Sequence, residues 1–322
     1  SLHLVTLEKL NFLAPCTTHS TSLFFQEALD YAKENLQPLD EDLVVVNQLA
    51  MRKPKRLSKQ DVMYESMTYP ASKEEKQALL KYQVMYRKVQ AEMMDLIYTY
   101  LRSDFSLEKL AIEAPPGVGK SLGYLLPAVF AGEANGPIVI STYTTVLQDQ
   151  LLNQSIPMLE QVLDQKINAA LVKSSQHYIS LSIFERWLNK MQAKDSEAYL
   201  SMRLLVWLTQ TITGDLSEIN AGSHLDLNFW QEIRITNTQY IDKHWLEYDF
   251  YERIRNNVEN ADLIITNHHF LTHDWKSQKQ VIPNLNQLII DEAHHFPDVA
   301  TQSNTITIQM NELTKELDKM GS

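Results

Sequence analysis

The residues most suited to chemistry are the run Ala114-Pro115-Pro116-Gly117-Val118-Gly119-Lys120-Ser121. Glycine lets backbone come close to a ligand or take positive φ. Five of the eight glycines fall between Gly117 and Gly136, and none precedes Gly117. In a loop of this kind, backbone N–H groups around Pro116, Gly117, Val118 and Gly119 cradle phosphate oxygens. A helix opening at Lys120 adds its unpaired N–H groups and dipole, both favourable to an anion. Lys120 is placed to reach β- and γ-phosphates, and Ser121 to ligate Mg²⁺. The first position of the pattern is Ala114 rather than glycine. A functionless turn is the competing reading, and the apolar strand before the loop and helix after it weigh against that.

A second constellation is Asp291-Glu292-Ala293-His294, directly after the apolar run Leu288-Ile289-Ile290. Adjacent carboxylates at the end of a buried strand are costly unless they serve a cation or a proton. Asp291 is expected to hold Mg²⁺ through water. Glu292 is expected to orient and deprotonate the attacking water, and His294 to sense the γ-phosphate. The alternative is a strand-end turn capping a helix. Phosphoryl transfer in such a site is mostly positioning and charge stabilisation. The arginine that would meet the transition state from across a cleft is missing, because no arginine follows Glu292.

Two hydroxyl- and amide-rich segments complete the set. Thr142, Thr144 and Thr145 open a helix after an apolar strand, which suits contacts to strand phosphates or simple capping. Asn267 and His268 end another apolar strand and point to nucleic-acid contact or motor coupling. Adjacent histidines are not spaced like helical zinc ligands.

These residues need a parallel sheet to bring them together. The expected strands are 110–113, 137–142, 169–173, 262–267 and 287–292, continuously apolar and interleaved with helices. That pattern indicates a sheet covered on both faces. The fold class is α/β: a P-loop parallel sheet of RecA type, with an inserted helical domain and a mostly helical N-terminal segment. Val89, Met93, Ile97 and Leu101 recur every fourth position and predict a helix over 81–101. Residues 174–259 have helical spacing throughout, too long an excursion for a loop. The expected boundaries are an N-terminal segment and connector at 1–80, an ATPase lobe at 81–173 and 260–300, the insert at 174–259, and a further insertion beginning at 301–322. The basic, proline-broken stretch from Arg52 to Arg56 reads as a solvated linker or a phosphate-contacting strap.

Bulk properties set the outer limits. The chain has 322 residues, 44% hydrophobic and 21% charged, an ordinary globular balance. Its net charge of −11 counts weakly against a nucleic-acid role, since an acidic chain is not the default nucleic-acid binder. A local groove of donors and aromatics for one strand remains compatible. No apolar run is long enough for a membrane span. The lone cysteine, Cys16, excludes an internal disulfide and points to a cytosolic setting. The first residue is not Met, so a longer gene product is expected.

Taken in order, these segments resemble the DinG/XPD-like DNA helicases of superfamily 2, over roughly residues 82–300. The resemblance is carried by residues 113–121, by Ser141 to Leu151, by Ala261 to His269, and by Asp291 to His294. Arg87 and Gln90 resemble the pair that contacts the nucleotide base. The resemblance implies binding of ATP and Mg²⁺, and ATP-driven 5′-to-3′ translocation on single-stranded DNA with duplex unwinding. It also implies a bacterial, nucleoid-associated location. Most such proteins hold an iron–sulfur cluster with four cysteines, but here Ser180 stands where the first would be. No cluster is expected. The second RecA-like lobe with its motif arginine that the resemblance implies is expected outside these 322 residues, and with one lobe a nucleotide-gated DNA-binding module of little hydrolysis is the alternative. Cluster-free relatives often carry a DnaQ-like 3′-to-5′ exonuclease region ahead of the helicase, and residues 2–32 look like its connector.

Overall fold

The structure is a computed structural model. It describes residues 2–17, 22–35, 40–53, 56–58, 68–80, 85–103, 109–132, 136–190, 195–219, 227–235, 241–277, 280–282 and 287–304. The expected start of a further insertion lies almost wholly outside them. So do residues 81–84 of the expected helix. The chain divides into two compact units, Ser1–Leu57 with Ser174–Glu259, and Ser58–Lys173 with Asn260–Ser322.

The second unit carries the glycine-rich loop at 114–121. Its elements are α1 (Lys73–Leu80), α2 (Lys88–Arg102), α3 (Lys120–Gly132), β1 (Ile138–Thr142), α4 (Thr145–Gln150), α5 (Ile156–Leu163), β2 (Ala169–Leu171), β3 (Leu263–Asn267), α6 (His268–Lys276), β4 (Gln287–Ile290) and α7 (Phe296–Asn304). The four strands form one parallel sheet in the order β2-β3-β1-β4. Ile138 and Ile140 of β1 and Leu263 and Ile265 of β3 are wholly buried, as covered parallel strands require. Leu125 and Leu126 of α3 are buried in the same core. Each such side chain contributes about 1.5–3 kcal/mol through removal from water.

Helix α2 shows the predicted stripe, with Met93, Ile97 and Leu101 buried, while Val89 at its first turn is exposed. It packs on α3, where Gly123 leaves room for Met93: a Cβ there would lie 3.0 Å from the Met93 sulfur. Between α4 and α5 the helical path widens into a π turn at Leu151–Ser155. Pro157 lies just beyond, and having no N–H it cannot donate the bond a regular turn would use.

One expected strand is corrected. Residues 110–113 form no ladder, and Leu110 is 41% exposed. β4 is the edge of the sheet, half-buried along its length. A short apolar run reads as a buried strand, but without a paired neighbour it is only extended chain.

The first unit begins with helices at Leu4–Leu13 and Ser22–Glu34 and an antiparallel hairpin, Leu43–Val46 with Leu49–Arg52. Asn47 and Gln48 both take positive φ at its two-residue turn, the geometry that matches strand twist. Arg52 is therefore a strand residue rather than linker. The insert contributes helices at Leu181–Lys190, Asp195–Leu208, Leu227–Glu232 and Phe250–Glu259. Its polar centre is Glu185, 8% exposed, whose Oε2 accepts from Trp245 Nε1 at 2.5 Å and contacts His244 Nε2 at 3.0 Å. Asn47 of the hairpin turn donates to Glu185 Oε1. A buried carboxylate survives when it is this fully hydrogen-bonded. Among the described residues no helix is long and apolar enough to cross a membrane.

Candidate functional site

The loop at 114–121 is built by two glycines that no other residue replaces without strain. Gly117 and Gly119 have φ of +77° and +87°. Gly117 faces open space, so a cradle is available there. A Cβ on Gly119 would lie 2.3 Å from Gln90 Nε2. That close approach exists because Gln90, 3% exposed on α2, donates to the Gly119 carbonyl at 2.8 Å. Arg87, just ahead of α2, donates to the Gly117 carbonyl. Both side chains thus brace the loop from outside. Val118 is buried and Pro116 exposed. The loop ends where α3 begins at Lys120, so the helix N-terminus opens directly onto it.

The Asp-Glu pair arrives from the opposite side. Beyond β4, the Asp291 N–H donates to the Ser141 carbonyl at 2.9 Å, extending the parallel register by one bond. Glu292 then adopts φ +53°, ψ +44°, the left-handed region that a side chain enters at a cost. This turn brings Glu292 Oε1 to 3.3 Å from Lys120 Nζ. Both side chains are about one-third exposed, 35% and 33%. Solvent screening at that exposure keeps the pair's contribution to folding small. His294 Nδ1 lies 3.5 Å from Glu292 Oε2. Burial raises the Asp291 carboxyl above its usual range, and the neighbouring Glu292 charge pushes the same way. A divalent cation is the natural countercharge, and the Ser121 hydroxyl and Asp291 carboxylate are hard oxygen donors suited to Mg²⁺.

At the ends of β1 and β3 the structure revises the expected surface. Thr142 is fully buried and donates to the Thr144 carbonyl at 3.1 Å. Asn267 is 8% exposed; its Oδ1 accepts from Phe270 N at 2.8 Å, and its Nδ2 donates to Gln148 at 3.2 Å. His268 is 0% exposed, with Nδ1 at 2.7 Å from Ser141 Oγ and Nε2 buried without a hydrogen-bond partner. As outward-facing contacts, Thr142, Asn267 and His268 are therefore corrected: all three are buried, and the side-chain bonds they make run to protein neighbours. Thr144 caps α4, its hydroxyl accepting from Leu147 N at 3.2 Å. Thr144 and Thr145 remain half-buried at the surface. Tyr143, next to Thr144 in the chain, stacks on His295, which follows the Asp-Glu turn, with ring centroids 3.9 Å apart.

Sequence reasoning missed three residues here. Gln148, wholly buried, donates to the Val172 carbonyl at 3.2 Å and so ties β2, β3 and α4 together. Ser141 is the partner of His268. Tyr124 donates to Asp291 Oδ2 at 3.2 Å. The only signal for Tyr124 was a polar-tipped ring on an otherwise apolar helix, which ordinary packing explains equally well.

The burial of His268 has a measurable consequence. Burial pushes its imidazole from 6.5 down to about 4, against the opposing pull of the Glu292 and Asp291 backbones. The unfolded chain binds this proton below about pH 6.5 and the folded one does not until about pH 4. Stability is therefore fully present above 6.5 and falls as pH drops towards 4. The loss attributable to this group is ~3 kcal/mol at most. Urea unfolding at stepped pH is expected to show this acid slope in the wild type, and a shallower one in His268→Gln. Equal slopes would contradict the assignment.

The comparisons with known proteins come down on one family. No protein-family model matches the chain. It is 37% identical over 219 residues to the 3'-5' exonuclease DinG of Bacillus subtilis (strain 168), covering 67% of this chain and 23% of that protein. It is 33% identical over 322 residues to the 3'-5' exonuclease DinG of Staphylococcus epidermidis, covering 99% of this chain and 34% of that protein. The corresponding Staphylococcus aureus (strain USA300) protein is 32% identical over 323 residues, again with 99% and 34% covered. The chain thus spans about a third of the length of these Staphylococcus relatives. With that similarity maintained along essentially all of its length, the chain belongs to the DinG-type family.

Proposed function

We propose that this chain is the ATP-binding lobe of a DNA helicase motor, formed by residues 81–173 and 260–300 with 174–259 inserted. The observation that carries this reading is the meeting of two separate segments. A glycine-built loop at a helix N-terminus and an Asp-Glu turn lie with Lys120 and Glu292 3.3 Å apart. Within this reading, Gly117, Gly119 and the first N–H groups of α3 bind the phosphates. Lys120 neutralises charge on them. Glu292 holds the attacking water and accepts its proton. Ser121 and Asp291 hold Mg²⁺, which supplies charge neutralisation on the phosphate oxygens when bound. Arg87 and Gln90 keep the loop in shape through its carbonyls and flank the nucleotide.

Single-stranded DNA is the proposed track. Thr144, Thr145 and the backbone N–H groups opening α4 are its proposed contacts, with Thr142, Asn267 and His268 positioning them from beneath. The Tyr143–His295 stack joins the residue next to Thr144 to the segment that follows Glu292, a short route for coupling. No iron–sulfur cluster is proposed. Ser180, at the position of the first cluster cysteine, is buried and serves the helix that follows: its carbonyl accepts from Phe184 N at 2.9 Å. The second lobe, with its arginine, is the proposed partner within the whole protein, and 5′-to-3′ unwinding and a cytoplasmic, nucleoid-associated setting are proposed of that whole.

The relatives' name is that of an exonuclease, a property of proteins about three times as long. Among the described residues no group of three or more His, Cys, Asp or Glu side chains is placed to hold a metal ion. The Lys120–Glu292 site supports an ATPase contribution instead. ATP hydrolysis by the chain, with and without single-stranded DNA, tests this. Turnover raised by DNA is the expected result. DNA binding gated by ATP without turnover would favour the nucleotide-gated module, and neither response would refute both.

A further inference from the structure

Tyr124 lies one helical turn beyond Ser121 on α3 and is 2% exposed. Its hydroxyl donates to Asp291 Oδ2 at 3.2 Å. Ser121 stands three residues before Tyr124, on the same face of the helix. One buried hydroxyl thus bonds Asp291 and shares a helix face with Ser121, the two residues offered as metal donors, which are 170 positions apart in the chain. The other Asp291 oxygen, Oδ1, accepts from the Glu292 N–H at 3.0 Å. Each carboxylate oxygen is thus held by one hydrogen bond and keeps lone-pair capacity for a further partner.

We propose that Tyr124 is a positioning residue for the metal site, its hydroxyl holding Ser121 and Asp291 in register so that both oxygens face one divalent cation. The inference rests on the nucleotide reading given above. Its physical basis is the edge position of β4. Among the described residues β4 has a strand on one side only, and beside the Tyr124 hydroxyl the Asp291 side chain is held by the local Glu292 N–H. Helix α3, buried through Leu125 and Leu126, is the rigid element available to anchor it. A phenol suits the task because it donates and accepts at one atom. A phenylalanine would fill the same space and leave the carboxylate to rotate.

The test is Tyr124→Phe in the whole chain, with two readouts. The first is Mn²⁺ binding in the presence of ADP, followed by electron paramagnetic resonance. The second is ADP binding in excess EDTA, followed by fluorescence of a labelled ADP. Outer-shell partners of metal ligands are commonly worth 10–100-fold in metal affinity, and Mn²⁺ affinity is expected to fall by about 10-fold. Metal-free ADP affinity is expected to stay as in the wild type. A variant that melts earlier yet binds Mn²⁺ as the wild type does would overturn the proposal, leaving Tyr124 a packing residue. A wild type with no Mn²⁺-dependent ADP binding would overturn the proposal together with the nucleotide reading beneath it.

Discussion

Glu292→Gln is expected to leave ATP binding in place and to remove hydrolysis. The amide keeps the size and hydrogen-bonding reach of the carboxylate but cannot accept a proton from water. General-base contributions run to about 10²–10⁴-fold, and a loss in that range is expected in steady-state turnover. The ground state has a further effect. Glu292 now lies 3.3 Å from Lys120, and each is the other's nearest opposite charge in the site. Phosphates entering the loop compete with Glu292 for Lys120. Neutralising the carboxylate removes that competition, so ATP is expected to bind at least as tightly as in the wild type. Stability is expected to change little, because a pair at one-third exposure contributes little to folding. A variant hydrolysing at the wild-type rate would remove Glu292 from the chemistry.

Lys120→Ala attacks the other half of the pair and is expected to abolish useful nucleotide binding. The loop retains its backbone cradle, since Gly117 and Gly119 keep their φ and α3 still starts there. What disappears is the ammonium at the first residue of α3, the cation proposed to meet the phosphates. Removing one member of a desolvated, hydrogen-bonded charge pair costs about 2–5 kcal/mol, which corresponds to roughly 30- to 5,000-fold in affinity. Glu292 makes the deficit larger. Left without its partner, its charge faces the incoming phosphates directly. The two variants are therefore expected to separate cleanly, one losing turnover and the other losing binding.

Much of the second unit was legible in the sequence because its elements carry long, unambiguous patterns. Strands β1 and β3 are unbroken apolar runs that end in polar residues, and both appear where that pattern put them. The loop at 114–121 announced itself by glycine alone, and both glycines do take positive φ. The strand at 110–113 failed for a reason the sequence does not carry: pairing depends on a neighbour far away in the chain. Exposure was the harder property. Thr142, Asn267 and His268 looked like surface donors, because polar residues at strand ends usually are. In the fold their polar atoms bond Thr144, Phe270, Gln148 and Ser141 beneath the surface. Long-range partnerships were hidden for the same reason. Tyr124 and Asp291 share no local pattern, and neither do Gln148 and Val172. Arg87 and Gln90 were legible only by resemblance; their grip on the Gly117 and Gly119 carbonyls is a matter of tertiary packing.

The most direct measurement is a titration of the 322-residue chain with labelled ADP in the presence of Mg²⁺, for the wild type and Lys120→Ala side by side. Saturable one-site binding by the wild type and its loss in the variant are expected. Equal binding by both proteins, or none by the wild type, would contradict the assignment of the loop at Gly117–Ser121 as a nucleotide site.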